Sequence, residues 1–113
     1  MKLNDYQRAA GEFALYKNKL YPFMALAEEA GEVAGKVAKS LRKTGTLDTS
    51  GTSTPYAGVV RESLEAELGD VLWQVQQCCT ELGFTLEEVA ELNLCKLQDR
   101  EARDVIVGEG DTR

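Results

Sequence analysis

The sequence predicts an all-α protein, folded as a bundle of four to five helices within a single domain over residues 1–113. Apolar residues recur at spacings of three and four along most of the chain, which is the period of an amphipathic helix. No stretch alternates apolar and polar residues in the manner of a half-buried strand. The helical stretches carry wide apolar faces, more than one small domain buries alone, so we expect a homo-oligomer.

The first two helices are predicted over residues 4–18 and 22–43. Asn4 or Asp5 can supply a side-chain cap for the first helix. Pro22 suits the first turn of the second helix, where its missing N–H is harmless. Basic residues crowd the C-terminal half of the second helix and interact favourably with the negative end of its dipole; they are Lys36, Lys39, Arg42 and Lys43.

A segment rich in Gly, Ser and Thr follows the second helix and covers residues 44–58. This composition predicts a flexible loop. A loop of this length is unusual in a compact bundle and is typical either of a functional lid or of a disordered segment. The sequence favours neither alternative.

The last two helices are bounded by clear signals. The third is predicted over residues 59–82, with Gly83 at its end. The segment Thr85–Glu88 has the pattern of a capping box, which starts a fourth helix that runs to about Arg103. The remaining residues, 104–113, are predicted to form a loose tail.

Composition excludes several classes of function. The net charge of −6 argues against binding a nucleic acid polymer or an anionic membrane surface. No apolar run reaches the length of a membrane span, and the first residues lack the apolar core of a signal peptide, so a cytoplasmic location is expected. The chain has no histidine, which excludes Ser-His and Cys-His nucleophile pairs. The three cysteines do not form the pattern of a disulfide framework.

Two acidic clusters stand out in the predicted helices. Glu28, Glu29 and Glu32 lie in the second helix, and Glu67 and Asp70 lie in the third. Residues three apart are neighbours on one helical face, so each cluster presents carboxylates side by side. If the two helices pack together, four carboxylates converge and a divalent cation such as Mg²⁺ relieves their repulsion. The bland alternative is a solvated acidic face, because single pairs at this spacing arise easily by chance.

The motifs around these clusters resemble those of the MazG-like nucleotide pyrophosphohydrolases, a group within the all-α NTP pyrophosphatase superfamily. The pattern EExxE followed by ExxD is carried by LAEEAGEVAGK and ELGDVLW, and N-x-x-K-x-x-x-R follows downstream. The resemblance extends from about Tyr21 to Arg100. It implies a MazG-type bundle that assembles as a homodimer or homotetramer.

The resemblance also implies a reaction. Such enzymes cleave an NTP or dNTP between the α and β phosphates, which leaves a nucleoside monophosphate and pyrophosphate and controls the nucleotide pool. The cofactor implied is Mg²⁺, with Mn²⁺ as a possible substitute. By match to the motif, Glu29, Glu32, Glu67 and Asp70 would be metal ligands, and Glu28 would hold a further metal or orient the attacking water. These five carboxylates are the predicted catalytic residues.

Five further residues are predicted to bind the substrate, each with a structural alternative. Lys36 lies one turn after Glu32 and would contact a phosphate or pair with that glutamate. Trp73 would stack on the base or belong to the core. On the fourth helix, Asn93 would contact the sugar or base, while Lys96 and Arg100 would hold the polyphosphate, unless all three form an ordinary solvated face.

Two other functions remain compatible with the sequence. One is a non-catalytic helical module whose acidic face binds a basic partner. The other is a phosphohydrolase that uses the same scaffold on an alarmone or another pyrophosphate. Stabilisation by metal separates the enzymes from the interaction module, and product identity separates the two enzymes from each other.

Overall fold

The fold is all-helical, as predicted. The structure, a computed structural model, describes residues 1–113 and contains four helices and no strand. The helices are α1 (Leu3–Gly11), α2 (Tyr21–Thr44), α3 (Pro55–Leu82) and α4 (Leu86–Ala102). No helix combines the length and apolar character that crossing a membrane requires.

The two long helices α2 and α3 form the centre of the molecule. They make the most extensive helix–helix contact of the chain and run antiparallel. Near the connection, Lys43 Nζ lies 4.7 Å from the centre of the Tyr56 ring. Further along, Lys36 Nζ lies 3.8 Å from Glu67 Oε1. The order of these pairs shows that the first turns of α2 lie beside the last turns of α3.

The connection between α2 and α3 covers residues 45–54 and is shorter than the predicted loop over 44–58, because Thr54 and Pro55 begin α3 one turn earlier. The Thr54 hydroxyl accepts a hydrogen bond from the Ala57 N–H at 3.1 Å, and proline is favoured at the first helical position. Within the connection, Asp48 accepts hydrogen bonds from Ser50 and Ser53. These bonds hold the pKa of Asp48 far below its usual range.

The first helix ends at Gly11 and does not continue to residue 18 as the apolar stripe predicted. Tyr16 explains the difference. Its hydroxyl donates to Glu81 Oε1 at 2.5 Å and accepts from Gln77 Nε2 at 2.7 Å, so the chain beyond α1 is held against the end of α3. A continued helix would carry Tyr16 away from both partners, and these long-range hydrogen bonds are invisible to a local pattern.

The start of α4 is fixed by its own cap and by α1. The predicted capping box is present, with Thr85 and Glu88 bonded to each other's backbone N–H. The side chain of Gln7 in α1 accepts from the Leu86 N–H at 2.7 Å, and Asn4 accepts from the Glu87 N–H at 3.1 Å. The first turn of α4 is therefore tied to α1, whereas no contact joins α4 to α2.

The chain folds into an open structure and leaves much of its apolar surface exposed. Only 13 of its 113 residues are buried, and the radius of gyration of 17.1 Å exceeds the value of about 13 Å expected for a compact domain of this size. Large apolar side chains on α3 and α4 stay exposed, among them Leu68, Leu72, Leu92, Leu94 and Leu97. The fold thus leaves an apolar surface on α3 and α4 open to solvent.

Candidate active site

Three carboxylates converge between α2 and α3. Glu29 lies on α2, and Glu67 and Asp70 lie one turn apart on α3. One carboxylate oxygen of each residue lies within 4.8 Å of one from the other two. The convergence follows from the sequence, because the three-residue spacing places Glu67 and Asp70 on one helical face and the antiparallel pairing places Glu29 opposite them.

The electrostatics of this triad disfavour three full negative charges. The pKa of Glu29 is raised, first by burial and then by the negative charges around it, of which Asp70 contributes most. Glu29 and Glu67 are partly buried and Asp70 is exposed. A partly desolvated carboxylate beside like charges is destabilising unless a proton or a cation neutralises it. The site is therefore negative, open on one side and suited to a cation.

The other two predicted carboxylates lie outside the triad. Glu32 is one turn beyond Glu29 on α2 and is exposed, with no ion-pair partner. Glu28 is also exposed. The charges of both residues contribute to the raised pKa of Glu29, so they lie near enough to act on the site electrostatically. The structure thus brings together three of the four predicted metal ligands and leaves Glu32 at the margin.

Lys36 is the one cation paired with the triad. Its Nζ lies 3.8 Å from Glu67 Oε1, and the Glu67 side chain is 17% exposed. The pairing expected with Glu32 is replaced by one with Glu67 on the neighbouring helix, and the contact of Lys36 with a phosphate stays a prediction. Lys36 therefore stands at the edge of the carboxylates, with its side chain still partly open to solvent.

Two aromatic residues flank the site on the α1 side. Trp73 donates from Nε1 to the Ala10 carbonyl at 3.0 Å, a contact that favours its packing role over base stacking. Sequence reasoning missed Tyr6, whose pKa is raised by burial and by the charge of Asp70. No local signal in the sequence connects Tyr6 to a carboxylate 64 positions away.

The predicted cations of α4 are not joined to the triad within one protomer. Lys96 and Arg100 both contact Asp111 in the tail, at 2.7 Å and 3.1 Å. Asn93 is exposed. Because α4 makes no contact with α2, these three residues lie apart from the triad within the chain, and their role in substrate binding stays a prediction.

The donor set of the triad fits a hard divalent cation. All three ligating groups are carboxylates, and oxygen ligands on facing helices are what Mg²⁺ and Mn²⁺ prefer. Mg²⁺ usually keeps several water ligands and binds one or two protein carboxylates together with substrate phosphates. Three converging carboxylates therefore supply enough protein ligands to bind Mg²⁺, and the exposed side leaves room for water and phosphate ligands. No sulfur or imidazole ligand is near that would favour a softer metal.

Comparison with known proteins agrees with this geometry. The sequence profile described as the MazG nucleotide pyrophosphohydrolase domain matches residues 20–103, from the start of α2 to the end of α4. The chain is 41% identical to the "Gene 37 protein" of Mycobacterium phage L5, over all of this chain and all of that protein. No solved structure matches. Since the matched segment contains both acidic helices and most of the sequence, the chain belongs to the MazG nucleotide pyrophosphohydrolase family.

Proposed function

We propose that this protein hydrolyses nucleoside triphosphates, as ribo- or deoxyribonucleotides, between the α and β phosphates with Mg²⁺ as cofactor. The products are a nucleoside monophosphate and pyrophosphate, and the biological role is control of the nucleotide pool in the cytoplasm. The observation that supports the proposal most strongly is the triad of Glu29, Glu67 and Asp70, whose carboxylates converge in a chain of this family.

Each carboxylate of the site is proposed to have a role that depends on its position. Glu29, Glu67 and Asp70 would hold the cation, and Glu32 would join them from the next turn of α2. Bound there, Mg²⁺ supplies charge neutralisation for the phosphates and lowers the pKa of water. Glu28 would orient the water whose oxygen forms a bond to the α phosphorus while the bond to the bridging oxygen breaks. Pyrophosphate departs with that oxygen, and the proton of the water passes to solvent through a carboxylate.

The cationic residues would hold the negative end of the substrate. Lys36 lies beside Glu67, so a cation bound to that glutamate would release the lysine for a phosphate oxygen. Lys96 and Arg100 would hold the remaining phosphates, with Asn93 at the sugar or base. Trp73 would contribute at most the edge of its ring, because its N–H is already bonded to α1.

The substrate site is proposed to be completed in a homodimer or homotetramer. The exposed leucines of α3 and α4 support this assembly, since a monomeric protein rarely leaves such an apolar surface in water. Assembly would also allow α4 of one protomer to approach the triad of another, which α4 does not do within its own chain. Light scattering after size exclusion tests this: a mass of two or four protomers at micromolar concentration is expected, and a monomer would contradict it.

A substrate panel with product analysis tests the reaction. The protein is incubated with each common NTP and dNTP in the presence of Mg²⁺, and the products are resolved by ion-exchange chromatography. Glu32→Gln and Asp70→Asn test the proposed ligands. Glu62→Gln is the matched control, because Glu62 is an exposed glutamate of α3 outside the triad.

Each outcome assigns a different function. Monophosphate with pyrophosphate, lost in Asp70→Asn and retained in Glu62→Gln, is the expected result. Orthophosphate with diphosphate would retain the metal site and overturn the bond that is cleaved. Turnover of an alarmone or another pyrophosphate, but of no triphosphate, would move the activity to the other substrate class. No turnover and no metal-dependent change in melting would favour the non-catalytic interaction module.

A further inference from the structure

The tail after α4 folds back onto the end of that helix, although its composition predicted a loose segment. Asp111 Oδ1 lies 2.7 Å from Lys96 Nζ and 3.1 Å from Arg100 Nη2. The backbone carbonyl of Asp111 accepts a second hydrogen bond from Arg100 Nη2 at 3.2 Å. One tail residue thus satisfies two cations that lie one turn apart on α4.

The backbone of the tail is shaped for this return. Gly110 adopts a φ of +75°, a conformation that side chains rarely tolerate, and it immediately precedes Asp111. Arg113 ties the tail to itself by donating to the carbonyls of Val105 and Ile106. The position of Asp111 therefore follows from a closed local structure.

The two cations that contact Asp111 differ in how far they are buried. The Arg100 side chain is only 9% exposed, whereas the Lys96 side chain is 36% exposed. A buried arginine normally requires a fixed anionic or carbonyl partner, and both hydrogen bonds of the Arg100 side chain go to Asp111. A ligand in solution cannot reach Arg100 by the same donor while the tail stays in place.

The Asp111 carboxylate lies between Lys96 and Arg100, where another anion of similar geometry would bind. A phosphate oxygen accepts the same charge-assisted hydrogen bonds and carries more charge. In the proposed function Lys96 and Arg100 hold phosphate groups of the substrate, and we propose that Asp111 closes this position as a competing internal anion. Naming the ligand as a polyphosphate rests on the proposed function, whereas the closure rests on the contacts themselves.

The balance of charges makes the closure reversible. The Asp111 side chain is 80% exposed, and an ion pair so open to water is weak. Its lowered pKa, caused by the hydrogen bonds and charges of Lys96 and Arg100, keeps it ionised at neutral pH. A polyphosphate with several charges would displace it, while a single weak anion would not. The tail thus acts as a low-affinity competitor that selects for highly charged ligands.

Calorimetric titration with inorganic tripolyphosphate tests the closure without any need for turnover. The full chain is compared with Asp111→Asn, which removes the competing charge, and with Glu109→Gln. The latter is the matched control, because Glu109 is an exposed acid of the same tail that makes no recorded ion pair. We expect Asp111→Asn to bind about three- to tenfold more tightly, since removing the competitor raises the fraction of open sites. Glu109→Gln should bind as the unaltered chain does.

Two further variants separate competition from a general loss of negative charge or of folded structure. Gly110→Ala keeps every charge but strains the return of the tail, so it should also tighten binding. Lys96→Met should weaken binding and cancel the gain from Asp111→Asn in the double variant. Circular dichroism melting of each variant shows whether the helices persist.

The outcomes distinguish this proposal from the proposed function. Tighter tripolyphosphate binding by Asp111→Asn with no nucleotide turnover by any protein would retain the closure and overturn the reaction. Nucleotide turnover with unchanged binding and unchanged KM in Asp111→Asn would retain the reaction and overturn the closure. Weaker binding by Asp111→Asn would also overturn it, because Asp111 would then position the two cations for the ligand instead of competing with it.

Discussion

The α2–α3 pair and the α4–tail unit differ in how their charged groups are held. The acidic triad lies between two long helices that pack along their length, so its three carboxylates converge within one chain. The cations Lys96 and Arg100 lie on a helix tied to the molecule mainly at its first turn, and their partner is an exposed tail residue. A metal site needs ligands at fixed distances, which packed helices supply, whereas the two cations of α4 are held by a single exposed carboxylate.

Removal of one triad carboxylate should give the largest effect. For Glu67→Gln we expect kcat/KM for the preferred nucleotide to fall at least about 100-fold, because a neutral amide is a poor ligand for Mg²⁺. Steady-state assays across a range of Mg²⁺ concentrations measure this loss. Glu62→Gln on the same helix should keep full activity, and equal activity of both variants would separate the triad from catalysis.

Lys36 tests whether the triad region also binds phosphate. Lys36→Met should raise KM for the nucleotide about tenfold, with a smaller change in kcat, since one charge-assisted hydrogen bond to the substrate is lost. Lys39→Met is the control, as Lys39 is an exposed lysine of the same helix with no ion pair. An unchanged KM in Lys36→Met would limit this lysine to its pairing with Glu67.

Substitution of Trp73 tests whether this side chain packs against α1 or binds the base. Trp73→Phe should lower the free energy of unfolding by about 1 kcal/mol, because the bond to the Ala10 carbonyl is lost. Chemical denaturation measures this change. KM should stay the same for purine and pyrimidine nucleotides, and a selective rise for one base would show that Trp73 contacts it.

Substitution of Glu29 should give the smallest effect, a change in melting temperature whose dependence on pH has a defined sign. Its pKa is raised in the folded protein, so the folded state binds the proton more tightly than the unfolded state. Stability is therefore lost as pH rises from the ordinary carboxyl range through the raised pKa. In the presence of a chelator, Glu29→Gln should melt about 2–4 °C above the unaltered chain at neutral pH.

Melting measurements at low pH and with Mg²⁺ provide the controls for Glu29→Gln. At about pH 4, where Glu29 is largely protonated, the two proteins should melt at similar temperatures. Added Mg²⁺ should reverse the order at neutral pH, because only the intact triad gains stability from the ion. A difference that does not depend on pH or Mg²⁺ would assign the effect to packing rather than to charge.

Prediction from sequence succeeded where local rules decide the structure. The capping box at Thr85, the end of α3 at Gly83 and the place of Pro22 in the first turn of α2 all follow from preferences of single residues for helix ends. The pairing of Glu29 with Glu67 and Asp70 followed from helical spacing once two helices were assumed to pack.

It was less successful where distant residues decide. The first helix stops at Gly11 because Tyr16 bonds to Gln77 and Glu81, more than sixty positions away. The start of the third helix was missed for a different reason: the local signal, Thr54 as cap and Pro55 at the first helical position, was present, but the loop-like composition around it outweighed it. The contact of Asp111 with α4 depends on the return of the tail, which no periodic pattern records.

We propose that Glu29, Glu67 and Asp70 hold the divalent cation that hydrolysis needs. Electron paramagnetic resonance tests this assignment directly. The signal of free Mn²⁺ falls when the ion binds to the protein, so the signal measures the concentration of unbound metal. We predict saturable Mn²⁺ binding by the unaltered chain, nucleotide hydrolysis that rises over the same Mn²⁺ concentrations, and loss of both in Asp70→Asn. Equal Mn²⁺ binding by the two proteins would contradict the claim and place the metal site elsewhere in the chain.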